Sequence, residues 1–291
     1  MPLNLNLLRS FWHVASAGSV SRAAQTAFIS QPALSKAVQE LEKQVGLPLL
    51  ERGPRGVLLT EAGQLLFDHA RAIFAIERDA EAALRSFHDL ERATLRIGAT
   101  TTIATYVLPA LLAQFQNIHP GVQLKITRDN TRRIEAALCA YELDVALVEG
   151  PPHDERLDFK PWREEELVCI AAPTHPLAGR DVVSASELQE CAWVMREEGS
   201  GTREVIESAL APYGLPPQNS LEIGGAEGIK QAVAAGLGIA VVSREAAADQ
   251  IALGKLKVLR LAEVELRRPF YVLHLRDRPT SPAAKAFEKL L

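Results

Sequence analysis

Cysteine is scarce in this chain. Cys139, Cys169 and Cys191 are spread through 291 residues, an odd number at wide spacing. That pattern excludes a disulfide framework and fits a reducing compartment. Each cysteine stands in an apolar context and is expected as a small buried group. The seven histidines are scattered, with no pair at metal-ligand spacing, so no metal site is expected. No apolar stretch reaches the ~20 residues that cross a bilayer. The N-terminus shows no charged segment followed by an apolar run and a cleavage site. A soluble, cytoplasmic chain without a membrane partner is the expectation. No Gly-x-Ser-x-Gly elbow, catalytic His/Asp pair or dinucleotide fingerprint is evident, which leaves no catalytic residue to nominate and no cofactor to expect. A strong charge of one sign is also missing, the net charge being -4.

That average hides an uneven distribution. Residues 1–60 carry six basic side chains (Arg9, Arg22, Lys36, Lys43, Arg52, Arg55) against three acids (Glu40, Glu42, Glu51). The head is basic and the acidic excess lies elsewhere, as a nucleic-acid contact would require. Within the head, Leu7, Leu8, Phe11 and Val14 recur at helical spacing, and Gly18 ends that helix. Ala23 and Ala24 are small enough to let a second helix approach a third. Ser30 is a good N-cap, and Pro32 in the first turn needs no donor. Leu34, Val38, Leu41 and Val45 then share one face, which packs inward. The opposite face carries Gln31, Ser35, Lys36, Gln39 and Lys43, able to reach base edges or phosphates. Arg52-Gly53-Pro54-Arg55-Gly56 follows as a turn between two arginines, a wing beside the helix. A small helical bundle with a solvated polar face would share the helix pair but not this basic turn.

These residues resemble the winged helix-turn-helix of the LysR-type transcriptional regulators. The motif stands here as Ser19, Ala23-Ala24, Ser30 to Ser35, Leu41-Glu42, Leu49 to Arg52 and Leu59 to Gly63. Three positions depart from it. Ala27 replaces a usual leucine, with Phe28 expected to fill the space. Leu50 replaces phenylalanine. Gln39 stands where many members have arginine. The resemblance implies double-stranded operator DNA as partner, contacted by Ser21, Ser30, Gln31, Pro32, Ser35, Lys36, Gln39, Arg52 and Arg55. It also implies a homo-oligomer, a dimer of dimers, with RNA polymerase as a further partner.

After Gly63, Leu66, Ala70, Ile73, Glu77, Ala80, Leu84 and Phe87 step by four and three. This reads as a heptad seam with one polar interruption, expected to pair two subunits. From Ala93 the period changes. Strands at 94–99, 122–127 and 143–148 alternate with helices at 103–118 and 132–141, which predicts a parallel sheet flanked by helices. The pattern restarts with strands at 166–172, 192–195, 221–223 and 239–242 and helices at 202–210 and 228–235. A last strand (269–275) and a terminal helix (281–290) close the chain. The fold class expected is α/β. It comprises a winged helix-turn-helix at 1–60, a linker and dimerisation helix at 61–92, and a two-lobed effector domain at 93–291. The resemblance implies a periplasmic-binding-protein-like form for the last. Lobe I is placed at 93–163 and 269–291 and lobe II at 164–268, with crossings near 162–166 and 266–269.

Two segments carry anion-binding chemistry. Thr100-Thr101-Thr102 and Gly199-Ser200-Gly201-Thr202-Arg203 each follow a strand and open a helix, offering hydroxyls and amides at a positive dipole end. The glycine-rich segment lacks the Gly-Lys of a nucleotide loop, so ATP is not suggested. Helix capping alone would explain part of this. The resemblance places an effector pocket in the cleft and adds Asn130, Thr131, Glu149, Gly150 and Glu227. The effector set is then Thr100, Thr101, Thr102, Asn130, Glu149, Gly150, Ser200, Gly201, Thr202, Arg203 and Glu227. The run from Val148 to Pro151 with Gly199 to Glu204 is most similar to a branch of sulfur-metabolism and carbon-fixation regulators, implying an inorganic oxyanion or a small organic acid. An α/β enzyme, or a small-anion-binding protein with an accessory DNA-binding head, is the competing reading.

Overall fold

A computed structural model describes residues 2–53, 56–86, 93–215, 220–262 and 264–291. The chain divides into two units, Met1–Leu84 and Arg85–Leu291.

In the first unit, α1 (Leu5–Ala17), α2 (Val20–Ala27) and α3 (Gln31–Val45) bury Leu8, Phe11, Leu34 and Leu41 against one another. Side-chain oxygens of Asn4, Ser19 and Ser30 cap the three N-termini, and Gly18 and Gly46 close α1 and α3 in left-handed geometry. Phe28 closes α2 with φ +55. It does not fill the space beside Ala27: it is 97% exposed. A left-handed residue at the helix end reverses the chain, and here that turn sends the ring outward.

The wing is an antiparallel pair, β1 (Leu50–Gly53) with β2 (Gly56–Leu59), Leu50 opposite Leu59 and Gly53 opposite Gly56. Glu42 fixes it to α3 by accepting from the Leu49 and Leu50 amides at 2.8 and 3.1 Å. The Leu-Glu pair of the motif is thus a core residue followed by a clamp on the wing. Gly63 is required by close approach, since a Cβ there would lie 1.9 Å from the Leu49 carbonyl oxygen.

The long helix α4 spans Glu61–Ser86 and carries the expected seam. Ala70 and Phe74 are buried in the core of their own head, and Leu66 and Ile73 pack half-buried against it. Glu77, the polar interruption, pairs with Arg9 of α1. A three-helix head has a small core, and the first half of the seam adds to it. Leu84 is 68% exposed, and Leu65 and Ile76 are exposed on other faces of the helix. Phe87 lies outside the described residues.

In the second unit the order is β3 (Thr94–Thr100), α5 (Leu108–Ile118) preceded by a π-helical turn at Ile103–Val107, β4 (Gln123–Asp129), α6 (Thr131–Cys139) and β5 (Val145–Glu149). Then come β6 (Leu157–Ala171), α7 (Ala185–Leu188), β7 (Trp193–Met195), α8 (Gly201–Leu210), β8 (Ser220–Glu222), α9 (Ala226–Ala234), β9 (Ala240–Ser243), α10 (Arg244–Ala252), β10 (Lys257–Leu259), β11 (Arg267–Leu275) and α11 (Pro282–Glu288). Parallel pairing holds for β3 with β4 and β5, and for β7 with β8. The main sheet is mixed rather than parallel, ordered β10-β6-β11-β5-β3-β4 with β9 also on β6.

The expected crossings are paired strands. β6 runs without a break through the first crossing, and β11 lies antiparallel to it. Glu166 faces Arg267, Glu165 faces Arg268, and Glu164 faces Pro269. Opposite charges directly across an antiparallel pair favour this register. One lobe gathers Leu95, Ile97, Phe115, Phe270 and Phe287. The other gathers Leu167, Cys169, Trp193, Ile206 and Val241. α10 and β10 have no counterpart in the sequence reading; α10 buries only Ala246 and Ala247, too little for an apolar stripe. Among the described residues no helix is long and apolar enough to cross a membrane.

Candidate functional site

On the head, the outer face of α3 follows its spacing. Gln31, Pro32, Lys36, Gln39 and Lys43 are exposed, and Ser35 is half-buried. Ser21 is exposed near the start of α2. Ser30 is exposed, and its hydroxyl oxygen accepts from the Ala33 amide at 3.4 Å. Arg52 stands on β1, and Arg55 lies outside the described residues. Amide side chains at Gln31 and Gln39 suit base edges, while Lys36 and Lys43 suit phosphates.

In the second unit, the carboxylate of Glu149, at the end of β5, takes the place expected of a ligand. One oxygen accepts from the Thr102 and Ile103 amides at 3.1 and 3.3 Å, the first amides of the helix after β3. The other accepts from the Thr202 hydroxyl at 2.8 Å and from Arg268 Nη1 at 2.7 Å. Glu149 is 2% exposed and Arg268 is 0% exposed. Arg268 also donates to the Thr202 hydroxyl at 2.5 Å, and through Nε and Nη2 to Glu165. Ser243, at the end of β9, donates to the other oxygen of Glu165 at 2.5 Å. Burial opposes the charge on Glu149. The Arg268 and Arg196 guanidiniums and the hydrogen bonds from Thr202 and Thr102 outweigh it and hold the carboxyl below its ordinary range.

The two expected segments therefore converge, but on the protein's own carboxylate. Backbone contacts tighten the junction. Thr131 donates its hydroxyl to the Glu149 carbonyl at 3.1 Å and accepts from the Gly201 amide at 3.2 Å. A Cβ on Gly201 would lie 1.7 Å from the same carbonyl, so only glycine lets α8 approach β5 this closely. Gly150 turns the chain after β5 with φ +77.

The remaining residues fall in different places. Thr100 is buried, and its hydroxyl has no partner among the described residues. Thr101 is half-buried. Asn130 caps α6, accepting from the Arg133 amide at 3.1 Å. Ser200 is buried ahead of α8, with no side-chain capping bond. Arg203 is not a free charge for a ligand. It pairs with Glu207 at 2.7 Å and Glu222 at 2.9 Å, because these acids lie within reach of a residue in the first turn of α8. Glu227 pairs with Lys230 at 2.8 Å, and Lys230 donates across to the Tyr106 hydroxyl at 3.2 Å.

Arg268, Glu165 and Ser243 were missed. A signal existed: the two crossings carry opposed charge blocks, Glu164 to Glu166 and Arg267-Arg268. Nearby, a cavity of about 450 Å³ opens between the starts of α6 and α8, lined by Thr131, Arg132, His153, Gly199, Ser200 and Glu204 among others. Its size falls in the range of small-molecule pockets. Among the described residues no cluster could hold a metal ion.

Comparison with known proteins gives two family matches. Residues 5–64 match the bacterial regulatory helix-turn-helix protein, lysR family. Residues 88–291 match the LysR substrate binding domain. The chain is 36% identical over 291 residues to a RuBisCO operon transcriptional regulator of Allochromatium vinosum, covering 100% of this chain and 96% of that protein. It is 34% identical over 270 residues to the HTH-type transcriptional regulator CysL of Bacillus subtilis, covering 92% and 90%. Among solved structures, the Synechocystis CcmR regulatory domain in complex with 2-PG is similar at 32% identity and TM-score 0.63, covering 68% of this chain and 95% of that one. Relatives named as regulators leave the enzyme alternative without support.

Proposed function

The chain belongs to the LysR family of bacterial transcriptional regulators, and from that premise we propose that its effector is a small organic acid bound between the lobes. A DNA-binding head and a small-molecule-responsive domain are the family's parts. The finer reading assigns 1–60 to the head, 61–92 to the linking and dimerising helix, and 93–291 to the effector domain. Operator contacts fall to Ser21, Ser30, Gln31, Pro32, Ser35, Lys36, Gln39, Arg52 and Arg55. The assembly is a dimer of dimers, and RNA polymerase is its further partner.

One observation carries the effector class. A guanidinium, two helix-start amides and a hydroxyl converge on one carboxylate in a buried junction of the lobes. Such a set suits carboxylate or phosphate. The CcmR domain binds 2-PG, an acid of this class. A ligand shifts the regulator only by its differential affinity for two lobe arrangements, typically about 1–3 kcal/mol of coupling. Footprinting of the full chain on its own upstream DNA, with 2-PG titrated in, tests the reading. A footprint that shifts at saturating acid is expected. A footprint unchanged across carboxylic and phosphorylated acids, with no heat of binding, would overturn it.

A further inference from the structure

Glu149 makes the contacts that a bound anion would make. It touches helix-start amides in one lobe and Thr202 in the other, and it meets Arg268 on the strand that joins them. We propose that Glu149 is a tethered occupant of the anion subsite, holding the lobes as an effector anion would, and that an acidic effector acts by displacing it. This rests on the reading above that the effector is an anion entering the cleft.

Three observations support the tether. First, the contacts are divided between the lobes, so the carboxylate acts as a bridge and not only as a cap. Second, the subsite keeps its counter-charge when Glu149 leaves. Arg268 is fixed independently by Glu165, which Ser243 holds in turn. Third, Thr100 sits at the end of β3, two residues before the Thr102 amide, with a buried hydroxyl that nothing among the described residues satisfies. Buried hydroxyls are almost always paired, so an unmet donor here marks a place for another acceptor.

The tether also sorts effectors. A side chain anchored one residue from its subsite acts at a high effective concentration, at least the millimolar level of flexible linkers. An inorganic oxyanion has only the subsite contacts with which to compete, and it loses. An organic acid can add contacts beyond the subsite, as to Thr131, which the junction shares with the neighbouring cavity, whose wall also carries Glu135, Glu198, Glu204 and Glu207.

Sulfate is the probe for the subsite. Calorimetry and thermal unfolding of the full chain would compare wild type, Glu149→Ala, Glu149→Gln and Glu149→Ala with Arg268→Met. Glu149→Ala should bind sulfate about tenfold tighter than wild type or better, and sulfate should raise its melting temperature. Glu149→Gln fills the same volume and should gain nothing. The double variant, lacking the guanidinium, should also gain nothing. If Glu149→Ala folds poorly by itself, refolding in sulfate replaces the melt: recovery supports the tether and failure to recover overturns it. Equal sulfate affinity in wild type and Glu149→Ala overturns it as well. A wild-type footprint that answers 2-PG while Glu149→Ala gains no sulfate binding keeps the effector reading and removes the tether. Sulfate uptake by Glu149→Ala with a wild type deaf to all acids keeps the tether and removes the effector class.

Discussion

Arg268→Met is the most informative single change in this molecule. It keeps much of the buried stem and deletes a guanidinium that serves Glu149, Glu165 and Thr202 at once. Both carboxylates are buried, so neither regains water when the cation goes. Removing one partner of a buried ion pair costs about 3–5 kcal/mol, because the orphaned charge remains desolvated. For a domain of this size each kcal/mol moves the melting temperature by about 2–4 °C. The effector unit should therefore melt roughly 6–20 °C lower. Scanning calorimetry of the full chain reads this directly. Adding Glu149→Gln and Glu165→Gln to Arg268→Met removes the orphaned charges and should recover most of the loss. A melting temperature within 2 °C of wild type for the single variant (less than about 1 kcal/mol) would refute the account. So would a loss that the two glutamines leave untouched, which would put the cost in packing around the stem.

Ile73 packs half-buried against the core of its own head, so Ile73→Glu should destabilise the head and weaken operator binding, seen as a lower melting temperature of the helical circular dichroism. Leu84→Glu, at an exposed position, should leave the head folded. Glu149 has a folded pKa below its ordinary value of 4.5. The unfolded chain therefore takes up its proton first on acidification, and the stabilisation is complete above 4.5 and lost as pH falls below it. Urea titrations of Glu149→Gln should show a flatter acid limb than wild type, and identical slopes would contradict this sign. Burial pushes the Cys169 thiol up to about 12, and burial with the neighbouring Asp154 does the same for Cys139. Under native conditions at pH 8, iodoacetamide followed by mass spectrometry should label Cys191 first, since it is only partly buried. Preferential labelling of Cys169 would show that lobe to be open in solution.

The head was the most legible part, since local rules set most of it. Caps at Ser19 and Ser30, the alanine pair and the apolar steps of α3 each act within a few residues, and sequence reports such spacing directly. Phe28 escaped because its direction depends on one backbone torsion at the end of α2. The heptad in α4 is an apolar stripe, but periodicity does not name the surface that covers it. The head's own small core buries Ala70 and half-covers Leu66 and Ile73.

In the effector unit, strand and helix periods gave most elements to within a few residues. They also gave the two segments whose helix starts meet at the cleft. The charged run Lys160 to Glu166 hid the continuity of β6, because a strand with exposed faces carries no apolar alternation. What sequence alone determined is the set of hydroxyls and helix-start amides that suit an anion, since such groups carry their chemistry wherever they stand. That they meet the Glu149 carboxylate was decided only in three dimensions. The antiparallel register of β6 and β11 sets Arg268 across from Glu165, and Gly201 lets α8 close onto the end of β5. A carboxylate more than a hundred residues away from its guanidinium (119 positions separate Glu149 and Arg268) becomes its neighbour through strand pairing. Burial then makes that contact nearly obligatory, because neither charge could be left alone out of water.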